Sequence, residues 1–85
     1  MDVPVMTRVE PIDDMCIIVH FDGGIVKKYN IEKIIDKFPI FKKLKDNNLF
    51  EKVRVDIGGM GLIWNEDIDL SIYEIWENGE TFIEE

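Results

Sequence analysis

Residues Met15-Cys16-Ile17-Ile18-Val19-His20-Phe21, then Asp22-Gly23-Gly24, then Ile25-Val26-Lys27-Lys28-Tyr29, decide the fold. The first seven are almost continuously apolar and rich in β-branched side chains, which is how a central strand reads. Asp22-Gly23-Gly24 supplies the positive φ that a tight hairpin requires. Ile25 to Tyr29 then returns as a second strand. Upstream, Pro11-Ile12-Asp13-Asp14 holds turn residues. Val3 to Val9 alternates, with Val3, Val5, Thr7 and Val9 on one face and Met6, Arg8 and Glu10 on the other, the period-two mark of a half-buried strand. The three strands predict an antiparallel meander.

Downstream the period changes. Asn30 is a good N-cap, and Ile31, Ile34, Ile35 and Phe38 fall at helical spacing. Pro39 ends that helix and suits the first turn of another, with Phe41 and Leu44 inward and Lys42, Lys43 and Lys45 toward water. Asp46-Asn47-Asn48 breaks it, and Leu49-Phe50 leads on. Val53-Arg54-Val55-Asp56-Ile57 alternates as a strand, Gly58-Gly59-Met60-Gly61 turns it, and Leu62-Ile63-Trp64 returns as a hairpin. Ser71-Ile72-Tyr73-Glu74 matches a capping box, in which a Ser hydroxyl and a Glu carboxylate satisfy free N–H groups reciprocally. A short helix is expected from Ile72 to about Glu77, ending at Asn78-Gly79. The predicted order is βββ-αα-ββ-α, an α+β fold with a three-stranded antiparallel meander, two short helices, a β-hairpin and a C-terminal short helix. Repeats and linkers are lacking, so residues 1–85 are expected to form a single small domain.

Charge narrows the function classes. The chain carries 18 acidic and 10 basic side chains, net −8. Residues 1–26 are net −4, residues 27–54 net +5, and residues 55–85 net −9. The two oppositely charged regions either offset each other in the fold or leave the acidic third for a basic partner. Overall acidity argues against general nucleic-acid binding, which needs cations to replace phosphate counterions. The start has neither a basic leader nor a long apolar stretch, and the single Cys16 fits a reducing compartment, so a cytoplasmic protein away from membranes is expected.

Two stretches together carry a resemblance. One is Phe21-Asp22-Gly23-Gly24 with Tyr29-Asn30-Ile31. The other runs Leu49-Phe50, Val53, Val55-Asp56, Gly61, Ile63-Trp64-Asn65, Asp67-Ile68-Asp69-Leu70 and Tyr73. Over about residues 5–76 this order resembles a widespread bacterial family of small proteins, domain of unknown function 2442. The resemblance implies an α+β domain without an established activity. Some relatives carry an added helix-turn-helix, and some sit beside another small protein in a toxin–antitoxin-like arrangement. No helix-turn-helix is read after residue 77, and Thr81-Phe82-Ile83-Glu84-Glu85 replaces the usual family ending, so no direct DNA-reading role is expected.

Catalytic chemistry finds little support. Cys16 and His20 are four apart on a strand, roughly 13 Å at about 3.3 Å per residue, whereas a nucleophile and its base need about 3 Å. Ser71, the one serine, is explained by its cap. Glu66, Asp67 and Asp69, with Asp56 near, are the densest carboxylates. Asp67-x-Asp69-x-Ser71 begins like a Ca²⁺ loop, but Ile72 takes the glycine position and Asn78 the closing glutamate position. Gly58-Gly59-Met60-Gly61 lacks the rest of a phosphate-binding motif. No catalytic residue, cofactor or metal is therefore expected. The expectation is a non-enzymatic protein-interaction module, the acidic member of a two-protein system, with Trp64, Glu66, Asp67, Asp69, Tyr73 and Trp76 as its surface. The alternative is a small-molecule or metal-binding accessory using the Trp64–Asp69 region. Either a small basic protein or a second copy would be the partner. Residues 78–85 form a tail, and Phe82 and Ile83 are too apolar for a solvated end. Residues 80–84 are expected to dock as a strand on their own sheet or on a second copy's.

Overall fold

The computed structural model describes residues 3–46 and 48–82. Its first three strands are the meander: β1 over Met6–Pro11, β2 over Cys16–Phe21 and β3 over Val26–Asn30, antiparallel in that order. β2 is the centre. Ile17, Val19 and Phe21 point into the main core, and Cys16 and Ile18 are buried on the opposite face. Ile18 has Glu10 and Lys28 as its cross-strand neighbours.

In β1 the buried residue at the strand start is Met6, while Val5 and Thr7 are exposed. The valine-and-threonine face expected from simple alternation is thus broken. The cause is a register shift between Met6 and Arg8: Met6 lies opposite Phe21, but Arg8 lies opposite His20. A bulge inserts one residue and reverses the facing of the residues beyond it. Met6 and Val9 thereby share the core side.

α1 is one turn, Glu32–Ile35, whose Glu32 N–H is taken by the Asn30 side chain at 2.9 Å. Phe38 does not join its inward stripe and is 51% exposed. It precedes Pro39, and the proline ring disfavours helical backbone in the residue before it; Phe38 sits at φ −131°, ψ 85°. Pro39–Lys45 and Leu49–Lys52 are 3₁₀ helices, the first burying Phe41 and Leu44. The second was not expected from the sequence.

The expected hairpin is one strand larger. β4 (Arg54–Val55), β5 (Gly61–Asn65) and β6 (Ile68–Ser71) form a second antiparallel sheet, with β5 in the middle. α2 runs Ile72–Asn78, as the sequence predicts. Gly79 follows with extended backbone, so its need for glycine is space: an added Cβ would stand 2.6 Å from the Ile75 carbonyl oxygen.

The tail docks on its own chain. β7 (Glu80–Thr81) pairs antiparallel with β3, Thr81 opposite Lys27, and the Phe82 N–H reaches the Val26 carbonyl at 2.9 Å. Ile83 and Glu84, also expected to dock, lie outside the described residues. The whole is an α+β fold with a four-stranded and a three-stranded sheet around one core.

Candidate functional site

The turn into β6 is set by Asn65, whose side-chain oxygen accepts from Asp67 N–H at 2.9 Å and Ile68 N–H at 3.0 Å. An Asx contact of this kind replaces a backbone turn bond. From there Ile68 and Leu70 point inward, and Asp69 and Ser71 outward. Ser71 caps α2, accepting from Tyr73 N–H at 3.1 Å.

Glu74 does not complete a reciprocal capping box. Its carboxylate accepts instead from the Tyr29 hydroxyl at 2.8 Å and the Asn78 amide at 2.9 Å. Tyr29 is fully buried, and its phenol is held well above the ordinary tyrosine range, first by burial and then by the hydrogen bond and charge of Glu74. The bond ties β3 to the start of α2, fixing that helix beside β6.

Between residues 34–41 and the β6–α2 stretch lies a cleft of about 380 Å³. One wall is apolar: Ile34, Phe38, Ile40 and Phe41. The other wall presents Asp67, Asp69, Leu70, Ser71 and Glu74. Phe38 and Ile40 stay 51% and 38% exposed, and they stand together on this wall. An adjoining groove, sharing Ile34 and Glu74, is lined by Lys33, Lys37 and Asn78.

Of the surface residues expected from the sequence, Asp67 and Asp69 reach this cleft. Trp64 is not a surface residue. It is 3% exposed, donates its indole N–H to the Phe50 carbonyl at 3.1 Å, and packs edge-on against Phe41. Trp76 is half-buried elsewhere, edge-on to Phe21 at 5.1 Å with the Lys27 ammonium 4.6 Å above its ring. Glu66 and Tyr73 are exposed but do not line the cleft. Sequence reasoning missed Phe38 and Ile40, although the Phe38-Pro39 pair carried the signal.

The basic middle meets the acidic third through carbonyls. Lys27 donates to the Trp76 carbonyl at 2.7 Å and Lys33 to the Asn78 carbonyl at 3.4 Å, both at the negative end of α2. Among the described residues, no ion pair joins residues 27–54 to the carboxylates after residue 55. The cleft carboxylates are therefore not neutralised by the chain's own lysines through direct pairing.

Cys16 and His20 share the outer face of β2; the thiol approaches the Asp14 carbonyl and His20 lies 3.8 Å from Glu10. Among the described residues no three of His, Cys, Asp and Glu converge as metal ligands, and no helix is long and apolar enough to cross a membrane. No curated protein and no solved structure matches the chain. Residues 6–81 match the family described as Protein of unknown function (DUF2442), and the chain belongs to that family.

Proposed function

We propose that this chain is a non-enzymatic protein-interaction module, the acidic member of a bacterial two-protein, toxin–antitoxin-like system. Its cleft takes an apolar segment flanked by basic side chains from a small basic partner. The observation that carries the reading is the pairing of walls. Phe38 and Ile40, left exposed, face Asp67, Asp69 and Glu74 across one groove. Exposed apolar groups rimmed by charge mark binding surfaces, and the carboxylates select partners by sign and speed their encounter.

The test is calorimetric titration with the protein encoded beside this one. A small basic product that binds, more weakly at high salt and not at all to Phe38→Ser combined with Asp69→Asn, supports the reading. An adjacent product that is acidic, or that does not bind, ends it.

The cleft volume also lies within the range of small-ligand pockets, which favours a second reading as a small-molecule or metal-binding accessory. With Trp64 interior, Asp67 and Asp69 are what the Trp64–Asp69 region offers such a ligand. Bound metal stabilises by mass action. A rise of several degrees in Tm with millimolar Ca²⁺ or Mg²⁺, abolished by Asp67→Asn with Asp69→Asn, would establish that role.

A further inference from the structure

The cleft touches three consecutive residues of β6: Asp69, Leu70 and Ser71. Successive strand side chains point to opposite faces. Leu70 faces the core, whereas Asp69 and Ser71 face outward beside their partners Ile63 and Gly61. The cleft's far wall is Ile34, Phe38, Ile40 and Phe41, and no residue of β4 or β5 lines it, so it lies on the side of β6 away from β5. β6 is the terminal strand of its sheet, so that side is an open edge.

The ladder says which groups the edge offers. The Asp56 N–H donates to the Gly61 carbonyl at 2.8 Å, so Gly61 points its main chain toward β4. Leu62 then points the opposite way, toward Leu70, in phase with the Ile72 N–H that donates to the Met60 carbonyl at 3.0 Å. In an antiparallel pair the facing alternates residue by residue. Leu70 is therefore spent on β5, and the peptide groups of Asp69 and Ser71 point into the cleft. The Ser71 carbonyl opens the first turn of α2. What remains is the N–H and carbonyl of Asp69 and the N–H of Ser71.

Resting on the protein-interaction reading above, we infer that β6 is a strand-addition site: an extended partner segment, alternating apolar and basic side chains, pairs with the main chain of Asp69 and Ser71. Its apolar side chains fall on the Leu70 side, against Ile34, Phe38 and Ile40. Its basic side chains fall on the outer side, beside Asp69, with Asp67 at the rim. Main-chain bonds supply affinity in this mode and alternate pockets supply specificity. A second copy is the poorer occupant: β6 carries no cation to set opposite Asp69 in any register, and a pair centred on Asp69 opposes carboxylate to carboxylate, where like charges repel.

The test uses the full ¹⁵N-labelled chain and an acetylated, amidated hexapeptide of alternating valine and lysine, at physiological salt. Its twin carries N-methyl groups on alternate peptide nitrogens, keeping charge and side chains but removing donors on one edge in each register. The expected result is that the parent peptide shifts the Asp69 and Ser71 amides and slows their hydrogen exchange. The methylated twin binds about tenfold more weakly or worse. Asp69→Pro, which removes an edge N–H that no ladder bond uses, weakens binding more than Asp69→Asn does. Should Asp69→Pro not fold, the methylated peptide decides alone. Equal binding of both peptides, with the cleft still responding, overturns strand addition while the interaction reading stands. Binding of the adjacent gene's product together with no response to either peptide does the same. A dimer in light scattering that Asp69→Pro dissociates makes a second copy the occupant, and overturns the inference.

Discussion

The two sheets treat their last strand differently. In the four-stranded sheet, β3 would be an edge, but Glu80–Thr81 and the Phe82 N–H cover it. In the three-stranded sheet, β6 ends beside a cleft with Phe38 and Ile40 standing open. Uncovered edges invite pairing with other chains, and native proteins protect them. The chain spends its own C-terminal residues on the β3 edge and places carboxylates along the β6 edge. Acidic side chains admit a basic segment, whereas a second copy's β6 brings them no cation, which makes the second edge selective.

The largest expected effect lies under the open edge. Trp64 fills the space between β5 and the 3₁₀ helices, touching Phe41 and bonded to the Phe50 carbonyl. Trp64→Ala should cost roughly 3–5 kcal/mol in chemical denaturation, as for a large aromatic lost from a core. A loss below about 1 kcal/mol would show that the three-stranded half contributes little to folding, and would return Trp64 to the surface.

Next comes the covered edge. Deleting residues 80–85 removes two strand pairings and the Phe82 bond. At roughly 0.5–1.5 kcal/mol net per hydrogen bond, less the entropy of ordering the tail, the loss should be about 1–2 kcal/mol. The mass in light scattering should stay unchanged. A fall from dimer to monomer would mean that the tail covers another chain's edge in solution.

The Tyr29–Glu74 bond joins the two halves and makes that junction sensitive to high pH. Folding holds the Tyr29 phenol above its ordinary value of 10.0, so the neutral form is favoured in the native state. Above that value the unfolded chain ionises first. The contribution is therefore full below about pH 10 and lost as pH rises toward the folded value, at up to about 1.4 kcal/mol per pH unit. Tyr29→Phe should cost about 1 kcal/mol at neutral pH and lose that part of the alkaline slope. A mutant whose stability falls as steeply as the parent above pH 10 would show that other groups set the slope.

The same division separates the elements that are legible in the sequence from those that are not. The meander was legible because Cys16 to Phe21 is a long β-branched run and Gly23 and Gly24 mark its turn. The Ser71 cap was legible because its signal is local. β6 was not, since four residues, Ile68-Asp69-Leu70-Ser71, are too few for alternation to stand out from a loop. The bulge after Met6 was hidden because a single inserted residue leaves the composition unchanged. The cleft was least legible: its walls come from residues 34–41 and 67–74, and which of their apolar groups stay uncovered is decided by packing. Even so, Pro39 disfavours helical backbone at Phe38, which is a local signal that Phe38 leaves the inward stripe of Ile31, Ile34 and Ile35.

The smallest expected change in stability is at Phe38, and its smallness is the point. A phenylalanine half-exposed on the wall of a cleft makes few of the contacts that a core aromatic makes. Phe38→Ala should therefore shift the unfolding free energy by no more than about 0.5 kcal/mol, the range of ordinary surface substitutions. Set beside the roughly 3–5 kcal/mol expected at Trp64, it separates an aromatic kept for folding from one kept for another purpose. The same variant should lose binding of the adjacent gene's product, since its ring is the most exposed part of the apolar wall. If Phe38→Ala instead costs about 2 kcal/mol or more, on the scale of buried residues, the side chain closes over the cleft in solution. The apolar wall would then be part of the core, and the second edge would be as well covered as the first.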